Sequence, residues 1–164
     1  MDGAVTRHLI TNQKDYYYGL RQQRKKAQIK EALKQVMPSD WKWSLAVRNH
    51  STAVLTISKA PVDLVSIFCD AADAYNKRRV EIYGEREQST SYQREKGNYD
   101  VSTWSLQHMT EGLQNRYIAA TFKKLFDAMN TNNYDNSDIM TDYFDVGHYV
   151  DIQIGKWNKP FQVV

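Results

Sequence analysis

Two runs of strict alternation, joined by a polar dipeptide, constrain the fold of this chain more than any other feature. Trp41, Trp43, Leu45 and Val47 alternate with Lys42, Ser44, Ala46 and Arg48. After Asn49-His50, Ala53, Leu55 and Ile57 alternate with Thr52, Val54, Thr56 and Ser58. A period of two sends each set to one face of a strand, so the pattern predicts a hairpin with one apolar face. A lone hairpin is marginal in water, and the remaining chain must therefore cover that face. With 164 residues, 41% of them hydrophobic, there is enough material for one ordinary domain core.

The flanking segments read as helices. From Gly19 to Val36, Ile29, Leu33 and Val36 recur at i, i+4, i+7, and Pro38-Ser39-Asp40 ends the run. Pro61 suits the first turn of a second helix, reaching to Tyr83, with Leu64, Phe68, Ala71 and Tyr75 inward and Val65, Cys69 and Ala72 beside them. Lys77, Arg78 and Arg79 complement its carboxy-terminal dipole. Gly84 to Asn98 is polar and aperiodic and reads as an exposed, mobile loop. A short strand is expected near Tyr99–His108. A third helix follows from Thr110-Glu111 to Met129, with Leu113, Tyr117, Ile118, Thr121, Leu125 and Met129 inward. Asn130 to Asp138 is rich in turn formers. The last strand runs over 145–154, where Val146, His148, Val150, Ile152 and Ile154 alternate with polar neighbours up to Gly155. Lys156 to Phe161 reads as a tail folding back on the domain. The expected architecture is α+β: a small antiparallel sheet of about four strands with helices mainly on one face, in the order α-ββ-α-β-α-β. Residues 1–18 form an amino-terminal arm, and 19–164 a single domain.

Cys69 is the only cysteine, which excludes an internal disulfide or a cysteine metal cluster. The first twenty residues lack the apolar run of a signal peptide, and no stretch approaches a membrane span. The expected location is the cytoplasm. Charge is divided along the chain. Residues 1–60 carry eleven Lys/Arg against four acids, whereas 61–164 carry eleven against fifteen. Such an asymmetry steers partners and says nothing about fold.

Three constellations carry possible chemistry, each with a plainer alternative. Arg21, Arg24, Lys25 and Lys26, with Tyr16 and Tyr17, could contact phosphates and stack on bases; amphipathic surface helices are also often basic for solubility. Asp135, Asp138, Asp142 and Asp145 form an acidic surface that could occupy a basic groove on another protein. Three of these carboxylates, Asp138, Asp142 and Asp145, with His148 could instead hold a metal for hydrolysis. Against the metal, Asp135 and Asp138 suit backbone-bonded turns, and His148 shares a strand face with Val150 and Ile152, where a hydrogen-bonded core histidine is the usual outcome. The spacing fits no calcium loop. There is no G-x-S-x-G elbow and no phosphate-binding glycine loop, so no catalytic residue or cofactor is assigned. Exposed aromatics such as Tyr16–Tyr18 or Trp157 either mark an interface or pack the arm and tail.

Three stretches resemble the large polyvalent protein-associated domains of phages and conjugative elements, specifically the twenty-ninth of that numbered series. They are Ile29–Lys34 with Pro38 and the strand Trp43–Arg48; the returning strand with Ala60-Pro61, where the family carries Gly-Pro; and Asn136–Val146 followed by Ile154–Phe161. The likeness covers most of residues 25–164. It implies a mobile-element origin and a part in protecting incoming DNA or countering host defence, and it brings no catalytic residues. The expectation is thus a non-enzymatic accessory protein, acting in the host cytoplasm, that binds a host macromolecule, foremost a protein. A nucleic-acid-binding module and a metal-dependent hydrolase are the alternatives.

Overall fold

The computed structural model describes residues 22–101, 112–141 and 145–164. The arm 1–18 with Tyr16 and Tyr17, Arg21, the segment 102–111 and Asp142 lie outside the described residues. A first helix, α1, spans 22–36 and buries Ile29 and Leu33. After Pro38, Trp41 turns inward and its ring meets Phe122 at 6.0 Å between centroids.

The predicted hairpin forms as β1 (Lys42–Arg48) and β2 (Thr52–Ala60), antiparallel, with Leu45 opposite Leu55 and Val47 opposite Ala53. Asn49 and His50 have φ values of 50° and 60°, and Ser51 N donates to Arg48 O at 3.3 Å. Positive φ at both central residues defines a primed turn, whose twist matches that of the strands it joins.

Next come α2 (Leu64–Tyr83), α3 (Ser91–Lys96), β3 (Tyr99–Val101), α4 (Arg116–Met129), a 3-10 turn (Ile139–Thr141), β4 (Tyr149–Ile154) and β5 (Gln162–Val163). The sheet order is β1-β2-β4-β3, and β5 pairs with the end of β2. The fold is α+β, as the sequence predicts, but the sheet is mixed rather than antiparallel. β4 runs parallel to β2, with Leu55 beside Ile152, and antiparallel to β3. A parallel pair needs a long crossover, and the chain from α2 through α4 supplies it. Beyond Ile154, β5 takes over the same edge of β2, pairing Lys59 with Gln162.

Among the described residues, α1, α2 and α4 contribute to one core on a single sheet face. Ile29 and Leu33 of α1, Leu64 and Phe68 of α2, and Ile118, Phe122 and Leu125 of α4 cluster with Leu55, Ile57, Ile152 and Ile154. Phe68 lies at its centre, with its ring 4.6 Å from Phe122 and 5.6 Å from Tyr99.

Four boundaries differ from expectation, each through a specific hydrogen bond or packing contact. The α2 cap is Asp63, whose carboxylate accepts from Ser66 N at 3.1 Å, so Pro61 lies before the helix and not in its first turn. The polar segment after Gly84 is not all loop. Residues 91–96 form α3, which Arg94 ties to Asp70 and Asp73 of α2 while Thr90 donates twice to Asp73. α4 starts at Arg116 because Asn115 caps it, accepting from Ile118 N at 3.1 Å; Phe122 takes the central core position, whereas Tyr117 is 64% exposed. The last strand begins at Tyr149 rather than Asp145. Ahead of it the Asn133 side chain stands in for a neighbouring strand, accepting from His148 N and donating to His148 O, both at 2.9 Å. That approach requires Gly147, where an added Cβ would lie 2.8 Å from Asn133 Oδ1.

Candidate binding surfaces

The two charged regions of the sequence meet in space. Lys25 of α1 donates to the Gly147 carbonyl at 2.9 Å and lies 5.9 Å from the centre of the Tyr134 ring. Gln28 accepts from Asn132 at 3.1 Å. These bonds clamp the basic helix onto the loop that precedes β4, so Lys25 is committed to the fold. Arg24 and Lys26 are exposed.

The acidic residues mostly shape turns. Asp135 accepts from Ser137 N at 3.0 Å, and Asp138 from Met140 N at 2.9 Å. The Ser137 hydrogen bonds hold the Asp135 carboxyl below the usual range. Asp145 is engaged through its backbone: Ser137 Oγ accepts from its N–H and its carbonyl accepts from Asn136 N. His148 is 6% exposed, and its Nε2 lies 2.8 Å from the carbonyl of Met129, the last residue of α4. This is the hydrogen-bonded core histidine of the plainer reading. Among the described residues no group of three His, Cys, Asp or Glu side chains is placed to hold a metal ion.

A second polar cluster joins α2 to α3. Burial raises the pKa of the Cys69 thiol, which outweighs the Thr90 hydrogen bond and keeps it protonated. Partial burial acts to raise Asp73 as well, but hydrogen bonds from Arg94 and Thr90 prevail and hold its carboxyl below the usual range. Tyr99 is pushed up to about 12, by burial first and by its neighbours Cys69 and Asp73 next. Every member has a partner within the cluster or is packed against it, which makes it a structural lock.

One exposed feature is one that the periodicity hid. Tyr75, expected to be buried, is 52% exposed, and Ile82 and Tyr83 are 56% and 72% exposed. With Arg78 and Arg79 they follow i, i+3, i+4, i+7, i+8 spacing along one face of α2. This face and Glu85 line a shallow cleft of about 440 Å³. Arg79 is held there by Glu85 and by Tyr75 Oη at 3.3 Å. Its guanidinium lies 5.6 Å from the centre of the Tyr75 ring. Arg78 has no ion-pair partner among the described residues. The signal in the sequence was the continuous stripe itself, which runs on past the part of the helix that the core can cover.

No described helix is long and apolar enough to cross a membrane. No protein-family model matches this chain, and no curated protein or solved structure matches it.

Proposed function

We propose that this chain is a non-enzymatic accessory protein of a phage or other mobile element, which binds a host protein through the projecting half of α2 and so counters a host defence. The observation that carries the binding role is the cluster of Tyr75, Ile82 and Tyr83, all exposed, around Arg78 and Arg79 on one helix face. Tyrosine and arginine are the residue types enriched at binding hot spots. Lys77, Glu81 and Glu85 add both signs of charge to the same end of the helix, a mixture that suits a protein better than a polyanion. The mobile-element origin rests on the three stretches of family likeness. A photo-crosslinking residue placed at Tyr83 is expected to capture a discrete protein from bacterial lysate, with nuclease treatment leaving the adduct intact. An adduct that disappears with nuclease, or none at all, overturns the reading.

A second reading has its own observation. Arg24, Lys26, Lys30 and Lys34 are all exposed along α1, and among the described residues only Lys34 is paired, with Glu31 at 2.7 Å. A nucleic-acid-binding helix would use Arg24 and Lys26, since Lys25 is occupied by Gly147. Binding to DNA that weakens steeply with salt and is lost in the double variant Arg24→Ala, Lys26→Ala would support it. Unchanged binding in that variant would remove it.

A further inference from the structure

The turn joining β4 to β5 holds a tryptophan out in solvent on a fixed base. Trp157 is 75% exposed. Lys156 N donates to Lys159 O at 2.9 Å and Lys159 N returns to Lys156 O at 3.0 Å, closing the turn from both sides. Gly155, with φ 64°, anchors it: a Cβ there would lie 2.6 Å from Phe161 N and 2.8 Å from Gly97 O. Phe161 N donates to that same Gly97 carbonyl at 2.8 Å. Both strands leaving the turn are registered on β2. The backbone beneath the indole is therefore ordered before any ligand arrives, and binding there forfeits little conformational entropy.

The surroundings of the ring indicate what it meets. Lys156 and Lys159 flank it, both exposed, and neither makes an ion pair among the described residues. Asn158 and Pro160 complete the exposed surface of the turn. A protein-binding hot spot sits in a water-excluding apolar ring, and interface cores are depleted in lysine. A lone aromatic ring between two lysines is instead the composition of a surface that stacks a base and holds the phosphates on either side.

We propose that the turn over Gly155–Phe161 is a binding site for single-stranded nucleic acid, in which an unpaired base stacks on Trp157 and adjoining phosphates meet Lys156 and Lys159. Duplexes bind less tightly because their bases are already stacked on one another. This site is separate from the α2 face and stands whether or not that face binds a protein.

The test is a fluorescence-anisotropy titration of the full chain into a labelled oligothymidylate strand and into a duplex of equal length, over a salt series. Single strands should bind more tightly. Trp157→Ala should weaken binding by about 5- to 150-fold, and Trp157→Phe should keep most of the affinity. Lys156→Ala and Lys159→Ala should each flatten the log–log salt slope by about 0.7. Melting curves check that the variants stay folded, as expected for changes to exposed side chains. Absence of oligonucleotide binding at low salt, or equal binding by Trp157→Ala, overturns the proposal. So does binding abolished by Arg24→Ala with Lys26→Ala but unaffected by Trp157→Ala, which would place the nucleic acid on α1. Adsorption to anionic phospholipid vesicles without oligonucleotide binding would assign the turn to a lipid surface and also overturn it.

Discussion

The two halves of α2 carry one continuous stripe and end in opposite environments. Leu64, Val65, Phe68 and Cys69 are buried to 5% exposure or less, whereas Tyr75, Ile82 and Tyr83, further along the same face, are more than half exposed. A helix of 20 residues is about 30 Å long. The described part of β3, which it packs against, has three residues and extends about 10 Å. The helix outruns its support, and its last turns present an exposed face on which Glu85 pairs with Arg79. An amphipathic stripe thus announces a helix, while the extent of the neighbouring sheet decides which part of that stripe is core.

The contrast can be broken most directly at Phe68. Phe68→Ala should cost about 3–5 kcal/mol in urea unfolding, the loss typical of a large aromatic removed from a packed core. Tyr83→Ala should stay within about 0.5 kcal/mol of the parent. Similar losses for the two variants would mean that the projecting half is covered after all.

Next in size is an alkaline effect confined to the supported half. In the unfolded chain the Tyr99 phenol ionises near 10, and in the fold near 12. Below pH 10 both states keep the proton and Tyr99 adds no pH dependence. Between pH 10 and 12 the unfolded chain loses its proton first, so stability falls as pH rises. The drop attributable to Tyr99 should be about 1–2 kcal/mol once solvent screening of this half-buried group is allowed for. Urea titrations of the parent and Tyr99→Phe at pH 9 and pH 11 should show the extra loss in the parent alone. Equal slopes would show that the ring is better solvated than its packing against Phe68 indicates.

The smallest effect belongs to the start of the helix. Asp63→Ala removes the acceptor for Ser66 N and should cost about 1 kcal/mol in the same assay. No change would mean that tertiary packing alone sets where α2 begins.

Much of this architecture is legible in the residues. The alternation from Trp41 to Ser58 identifies the hairpin, and Ile29, Leu33, Phe68 and Leu125 take the buried places that helical spacing assigns them. The parallel pairing of β2 with β4 is not legible, because alternation tells which face of a strand is buried and not which strand lies beside it. α3 is hidden as well: its six residues have no apolar stripe, and it is fastened by polar bonds from Arg94 and Thr90 to α2. The basic residues illustrate the same limit. Lys25 and Lys26 are adjacent and chemically alike, yet one is tied to Gly147 O and the other is exposed, a difference set by the direction of each side chain around α1. Trp157 could be singled out as an unplaced aromatic, whereas the rigidity of its turn depends on Gly97, a distant residue that no local pattern connects to it.

The place of β2 also orders events in time. On one edge it meets β1 almost as soon as both are made, across a three-residue turn. Its other edge waits for residues 149–154 and 162–163. A ribosome must synthesise α2, β3 and α4 before that edge has a partner, and pairings so distant in sequence form slowly. While translation continues, the nascent chain carries an open strand edge next to exposed apolar residues. The late arrival of β4 is therefore the step at which chaperone engagement or premature termination would decide between folding and aggregation.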